Sequence, residues 1–456
     1  MTYIDAAHRK HIHAYKYASV DQSLVSRYLL GPYWNWLVGH VPLWVAPNTV
    51  TLTGLLLVAS NVAALLWMDP RLDEATGLRV ALAEGRLVDE RLAVVPLLPR
   101  GGVPSGGAVV QAADAAVPAW MLCVWAACLF AYQSLDSIDG KQARRTNMAG
   151  PLGELFDHGC DALNTMLEGL LLAAALGLGR TYWAVFGLVA ATCNFYLTTW
   201  EEYHTHTLFL SVFSGPVEGI LLICALYLLV GSMGGTAYAM RGVLSVTHLD
   251  AIPWVRAHLA WLNWPISDAF LAFSVIGLGA NTVASYRNVY AACRKRGVSV
   301  VGPLWRLAPL VVQVAANVAW MCGNGAAVLT GGDVFVPFVF FWGLSFAYLV
   351  GLLIVAHVCR LPFPYMNVLL IPSIVGALDA NLRQPLLQTS PASTAATVYV
   401  ALLTALVVYA HFVYDVITTI TRETGKPCFT VPRGGGDGGD GGREAKERRG
   451  GGKETA

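Results

Sequence analysis

The chain has 456 residues, of which 55% are hydrophobic and 13% charged, with a formal net charge of +1. Soluble domains carry about a quarter charged residues, so this composition describes a polytopic membrane protein, and a near-neutral balance with dispersed basic residues excludes a nucleic-acid partner. The nine cysteines show no C-x-x-C pair and no zinc-like spacing, which predicts neither a disulfide framework nor a cysteine metal site.

In chain order, the opening segment MTYIDAAHRKHIHAYKYASVDQ is too polar for the apolar core of a signal peptide, and insertion is expected from the spans themselves. Residues 1–47 read as a cytosolic N-terminal segment, within which 21–44 mix leucine, tryptophan and tyrosine with few charges and predict an amphipathic helix lying in the membrane interface. A spanning helix needs about 20 mostly apolar residues. About ten such stretches follow, centred on 48–68, 116–135, 156–178, 181–199, 216–235, 266–287, 304–327, 333–357, 364–380 and 395–418. The predicted fold is therefore all-α, a polytopic membrane protein with a transmembrane region over 48–425. Residues 69–115 form a non-cytosolic loop with one short helix expected near 84–94. Residues 426–456 are read as a disordered cytosolic tail, since their glycines and charges cannot bury enough apolar surface to fold.

Orientation follows from lysine and arginine in the short loops. A cytosolic N-terminus puts Lys141, Arg144, Arg145, Arg287, Arg294, Lys295, Arg296 and Arg360 on one side, followed by Arg422 and Lys426 after the last span, against Arg180, Arg241, Arg256 and Arg383 on the other. Both termini are expected in the cytosol.

The stretch LDSIDGKQARRTNMAGPLGELFDHGCD, residues 135–161, concentrates charge beside the membrane. Asp136 and Asp139 are three apart and share a helix face. Glu154, Asp157, His158 and Asp161 follow at i, i+3, i+4 and i+7, again one face. Two antiparallel helices joined by a short turn would gather four carboxylates, whose mutual repulsion and burial demand cations. All-oxygen ligands select a hard divalent ion, and four aspartates suit a pair of them with substrate phosphates completing the shells. Gly140 is expected to break the helix and open backbone to a ligand, Gly153 to relieve helix crowding, and Arg144 to offer a planar fork to phosphate oxygens. His158 can accept a proton at cytosolic pH, with Glu154 one turn earlier to orient it or help take up its charge.

Asp136, Asp139, Gly140, Ala143, Arg144, Gly153, Asp157 and Asp161 follow the pattern D-x2-D-G-x2-A-R-x8-G-x3-D-x3-D of the CDP-alcohol phosphotransferase family. YASVDQSLVSRYLLGPYWNW, PLWVAPNTVTLTGLL, LGELFDHGCD, TWEEYHTHTL and SGPVEG make the chain resemble its eukaryotic choline/ethanolamine phosphotransferase branch, over roughly residues 15 to 425. The 69–115 loop is longer than the branch leads one to expect.

The resemblance implies transfer of phosphocholine or phosphoethanolamine from CDP-choline or CDP-ethanolamine to 1,2-diacylglycerol, at an endoplasmic reticulum or Golgi membrane with the active site toward the cytosol. It implies two Mg²⁺ ions, with Mn²⁺ as an alternative, on Asp136, Asp139, Asp157 and Asp161. CDP-alcohol contacts fall to Asn48, Gly140, Ala143, Arg144 and Gly153, and the proton acceptor is His158. It leaves room for a homodimer. Asn48 reads equally as a helix cap after proline. Glu218 could attract the ammonium headgroup, whereas Glu201 and Glu202 suit a solvated loop, and Trp200 and Tyr203 suit interface aromatics.

Two other functions are open to this composition. A family member using CDP-diacylglycerol and a soluble alcohol is typically smaller, with about six spans, and lacks the FDHGCD context. A transporter would place its acids at the bilayer midplane between broken helices, whereas these lie at a span boundary beside a basic turn.

Overall fold

The computed structural model describes residues 2–15, 17–21, 23–83, 117–210 and 216–432. The helix expected near 84–94 lies outside these residues. Among the described residues, two short strands, β1 (Ser19–Asp21) and β2 (Leu208–Leu210), pair in parallel and tie the N-terminal segment to a later loop; everything else regular is helical.

The N-terminal segment carries α1 (Lys10–Ala14), a π-helical turn at Ser26–Leu30 and α2 (Gly31–His40). Trp34 and Val38 of α2 are buried, while Tyr28, Leu29, Trp36 and Trp44 stand exposed. One face packs on the bundle and the other offers aromatic and aliphatic surface, as an interfacial helix requires. Then come α3 (Pro47–Met68) and α4 (Asp73–Ala83), followed by α5 (Ala119–Arg145), α6 (Pro151–Ala175), α7 (Tyr182–Thr205) and α8 (Pro216–Ser232). Short turns α9 (Thr236–Ala239), α10 (Val243–Val246) and α11 (Pro253–His258) lead to α12 (Ile266–Arg296). The chain finishes with α13 (Val301–Trp305), α14 (Ala308–Thr330), α15 (Gly332–Cys359), α16 (Leu370–Ala380) and α17 (Pro391–Thr424).

Each of the apolar stretches contains a helix. Among the described residues six helices are long and apolar enough to cross a membrane: α3, α5, α12, the α13–α14 run, α15 and α17. With 25 and 24 residues, α6 and α7 have the length, but acids interrupt the apolar run of α6, and Asn194 with several threonines and aromatic polar side chains dilutes that of α7. The expectation for 364–380 needs correction. Pro362 and Pro364 keep the chain irregular after α15, and the 11 residues of α16 rise only about 16 Å, too short for a hydrocarbon core of about 30 Å.

At the centre stands α15, with 83% of its apolar window buried against 22% for α12 and α17, which therefore present their sides to lipid. Phe335, Phe338, Phe341, Trp342 and Phe346 of α15 are fully buried, with Trp125 and Trp320 in the same core. The two ends of the bundle differ in chemistry. One holds Arg180 bonded to Asp73 at 2.5 Å and a buried Arg79–Asp268 pair at 2.5 Å, with Arg79 also over the Trp183 ring. The other gathers the α5–α6 turn, the ends of α7, α12, α15 and α17, and α1, whose preceding Arg9 pairs with Glu423 at 3.2 Å.

Candidate active site

The site is built on the α5–α6 turn. Asn147 adopts a left-handed conformation (φ 56°), which an asparagine tolerates. This lets the N–H groups of Met148 and Ala149 close onto the carbonyl of Ala143 at 2.8 and 3.1 Å. Pro151 then opens α6 at its first turn, where its missing N–H costs nothing. Gln142, fully buried, donates to the carbonyls of Pro42 and Val45 at 3.0 and 2.9 Å, and so fixes the start of α3 against α5.

With the turn closed, Asp136, Asp157 and Asp161 each offer an oxygen within 4.8 Å of the others. Asp139 stands to one side, accepting from Thr51 Oγ1 at 2.5 Å, while Asp161 accepts from the buried Tyr132 hydroxyl. Like unit charges about 4 Å apart repel by about 4 kcal/mol per pair at the effective dielectric of a protein surface. Oδ1 of Asp136 and Oδ1 of Asp157 are buried without any hydrogen-bond partner. Unpaired carboxylate oxygens facing each other are the donor set of a hard cation, so the residues present fit a divalent metal.

The other motif residues sit around this cluster. α5 continues through Gly140 to Arg145, so the expected helix break at Gly140 does not occur: a helix end after Gly140 would forfeit the hydrogen bonds that position Arg144. Gly140 is exposed, and a Cβ there would meet only Arg144 Nη1 at 3.9 Å, which leaves the backbone accessible. Gly153 does not relieve crowding either, since a Cβ there would meet nothing within 4 Å. It lines a shallow pocket with Asn48, Met148, Gly150, Thr424 and Lys426. Asn48 is not a cap, because Ala46 holds that position without a side-chain bond; its amide donates to the Cys428 carbonyl at 3.1 Å. The first tail residues thus fold over the site, with Lys426 Nζ on the Ala149 carbonyl at 2.7 Å and Phe429 edge-on to Phe156. Residues 433–456 lie outside the described residues.

His158 is buried one residue beyond Asp157, with Nδ1 3.9 Å from Glu202 Oε2. No hydrogen bond joins Glu154 to His158 among the described residues; Glu154 accepts from the Tyr15 hydroxyl. Burial and then the Glu154 charge hold the Tyr15 phenol above the usual tyrosine range, so it remains a donor. Glu154, Glu202 and His357 form a second cluster with ligand-type atoms within 4.8 Å. Glu201 and Glu202, read from sequence as solvated, are both buried, and Glu201 accepts from Asn288 at 2.6 Å. Trp200 is buried with its indole N–H on the Pro303 carbonyl at 2.9 Å. Tyr203 already carries a cation, Arg306, over its ring. Glu218 accepts from Ser23 at the start of α8 and belongs to neither cluster.

Sequence reasoning missed Thr51, Tyr132, Tyr15 and His357. Thr51 has no ionisable residue within a turn and reads as ordinary span chemistry, whereas Tyr132 stands one turn before Asp136, a spacing that could have singled it out, although its bond goes to Asp161 on the next helix. Tyr15 and His357 come from opposite ends of the chain.

A helix pair that gathers aspartates at one end of a membrane bundle defines a class, and comparison with known proteins agrees with it. Residues 108–267 match the family model described as CDP-alcohol phosphatidyltransferase. The chain is 34% identical over 437 residues to an uncharacterized CDP-alcohol phosphatidyltransferase class-I family protein of Schizosaccharomyces pombe, covering 93% of this chain and 96% of that one. It is 30% identical to cholinephosphotransferase 1 of Saccharomyces cerevisiae (89% and 92% covered) and 32% identical to choline/ethanolaminephosphotransferase 1 of Arabidopsis thaliana (95% and 99% covered). The chain belongs to the CDP-alcohol phosphatidyltransferase family.

Proposed function

We propose that this protein transfers phosphocholine or phosphoethanolamine from CDP-choline or CDP-ethanolamine to 1,2-diacylglycerol, giving phosphatidylcholine or phosphatidylethanolamine and CMP. The observation that carries this reading is the aspartate cluster of Asp136, Asp157 and Asp161 set beside a buried histidine at one end of a membrane bundle. The near full-length similarity to relatives named for these two activities supports it.

In this reading Asp136, Asp139, Asp157 and Asp161 hold two Mg²⁺ ions, or Mn²⁺ in their place. When bound, such ions neutralise the diphosphate and the charge gathering on departing CMP. Thr51 and Tyr132 donate to Asp139 and Asp161 and so fix which carboxylate oxygens remain free, the supporting role that sharpens a metal site. Arg144 presents a charged fork toward the diphosphate. Gly140, Ala143, Gly153 and Asn48 leave room for the nucleotide along the α3–α5–α6 surface.

The diacylglycerol hydroxyl oxygen bonds to the β-phosphorus as the bond to the CMP oxygen breaks, and His158 takes the hydroxyl proton. Glu202, 3.9 Å from the imidazole, offsets the charge that the ring then acquires, while Glu154, held by Tyr15, adds negative potential one turn away. Burial of His158 keeps competing water from the proton path. The site faces the cytosol of an endoplasmic reticulum or Golgi membrane, supported by the basic residues at this end of the bundle.

The test is an assay of the purified full-length protein with diacylglycerol, Mg²⁺ and both CDP-alcohols in competition. CMP and the matching phospholipid should form in equal amounts. CMP without phospholipid, or phospholipid formed from CDP-diacylglycerol and a soluble alcohol instead, would overturn the assignment.

A further inference from the structure

Beside the Glu154–Glu202–His357 cluster lies a cavity of about 660 Å³, within the size range of small-molecule sites. Its walls come from α1, α7, α12, the α13–α14 junction and the end of α15. Arg296, Arg306 and Arg360 line it together with His204, His206 and His357, and no carboxylate does. None of the three arginines is ion-paired among the described residues.

Concentrating cations without a counter-charge is costly, and the local arrangement shows how it is tolerated. Arg306 lies over the rings of Tyr203 and Phe363 at 5.4 and 5.6 Å, and Arg296 donates to the His204 carbonyl. His206 and His357 stack at 5.4 Å, an arrangement open to neutral imidazoles. Burial, then Arg296 and Arg360, hold His206 below the usual histidine range, the two cations adding to the effect of desolvation. Polar nitrogens also remain unpaired in this wall: Arg306 Nε, His204 Nε2 and His357 Nδ1 are buried without a hydrogen-bond partner. Buried donors left unsatisfied cost about 1–3 kcal/mol each, more when charged.

We propose that this cavity binds the phosphate group of an anionic ligand, a phosphomonoester or diphosphate, at a site separate from the aspartate cluster. Three guanidinium forks supply directed donors to several phosphate oxygens. The cavity opens at the end of the bundle where both a membrane-borne headgroup and a soluble phosphate have access. The ligand is therefore either a lipid phosphomonoester or a free phosphate compound. Because the site uses arginines instead of carboxylates, its binding needs no divalent ion.

That last property makes the test independent of the transfer reaction. Binding of short-chain phosphatidic acid and of inorganic pyrophosphate to the full-length protein is measured by calorimetry in detergent with EDTA, which removes any metal-dependent binding at the aspartates. At least one anion should bind, and Arg306→Gln and Arg360→Gln should each weaken it by about tenfold or more, as loss of a hydrogen bond to a charged group does. Phosphatidic acid alone identifies a lipid headgroup site, pyrophosphate alone a soluble-phosphate site, and both a site selective for the phosphate group itself. If neither anion binds, or if the variants bind as the wild type does, the proposal fails. Arg360 is exposed at the end of α15, so its variant keeps the test decisive should loss of Arg306 impair folding, and Mg²⁺-dependent CDP-choline binding reports the folded state of both.

Discussion

Two charged regions share one end of this bundle and are built in opposite ways. The acidic region is local: Asp136, Asp139, Asp157 and Asp161 come from two consecutive helices and one tight turn. The basic cavity is assembled from His11, His204, Arg296, Arg306 and Arg360, which are spread across most of the chain. Each region concentrates one sign of charge that no ion pair neutralises among the described residues. The acidic one therefore calls for cations and the basic one for an anion, and between them lies His158, next to Asp157 in the chain and 3.9 Å from Glu202, which clusters with the cavity's His357. The lesson is that, among the described residues, no ion pair joins the aspartates of the one to the arginines of the other. If the carboxylates were meant only to pair with the arginines, the fold had both within one end of the molecule and kept them apart.

The sharpest way to break the comparison is to remove ligand charge from the acidic side. Asp136→Asn or Asp157→Asn keeps size while deleting a unit charge from a position whose Oδ1 has no protein partner. Metal stabilisation of transferring charge is worth several kcal/mol, so turnover should fall on the order of 10⁴-fold, with Mg²⁺-dependent CDP-choline binding lost as well. Near-normal turnover of either variant at ordinary Mg²⁺ would mean that the acids do not hold the ions. Removal of Mg²⁺ with EDTA should match the variants' loss in the wild type.

Next in size is the residue between the two regions. His158→Ala should lose about 10²–10⁴-fold in turnover while binding CDP-choline with Mg²⁺ as before, because the histidine belongs to the proton path and not to the metal shell. Turnover of diacylglycerol at close to the wild-type rate would place the base elsewhere, and Asp161 would be examined first.

How much of this could be read from the chain follows the same division. Helical periodicity with span lengths identifies the all-α membrane bundle, and the i, i+3, i+4, i+7 spacing from Glu154 to Asp161 identifies one face of α6. Those are local rules. The failures are long-range or terminal. Two prolines after α15 shortened a span that hydropathy alone had credited. Glu202 looked solvated because TWEEYHTHTL is polar, whereas β1–β2 pairing and the packing of α7 against α15 bury it. The glutamate expected to orient His158 turned out to hold Tyr15, a partner 139 residues away. No spacing rule brings Arg360 to His204.

That misassignment yields a discriminating experiment. At 3.9 Å from His158 Nδ1, Glu202 would stabilise an imidazolium by up to about 4 kcal/mol at the effective dielectric of such sites, and partial solvent screening reduces the usable share to about half. Glu202→Gln should therefore lower kcat roughly 30-fold and leave the KM for CDP-choline unchanged, since no change reaches the nucleotide side. A rise in KM with kcat preserved would show that Glu202 supports binding instead, and would move the boundary between the two regions to the other side of His158.

The smallest expected effect tests whether the acidic region depends on anything outside its own two helices. Thr51 lies on α3, and its hydroxyl donates to Asp139 at 2.5 Å while also reaching the Pro47 carbonyl at 3.3 Å. Valine has nearly the same shape and tolerates a helix, so Thr51→Val removes one donor without opening a cavity. Groups that orient metal ligands typically change metal affinity by about 10–100-fold. Asp139 stays within the field of Arg144, which also restrains it and places the expected change at the lower bound, roughly tenfold in the Mg²⁺ concentration for half-maximal activity, with the rate at saturating Mg²⁺ little altered. A titration that matches the wild type would mean that the α5–α6 hairpin orients its own carboxylates. An unchanged Mg²⁺ requirement with a reduced maximal rate would assign Thr51 to the substrate, and the acidic region would then be a three-helix site in which α3 contacts the nucleotide directly.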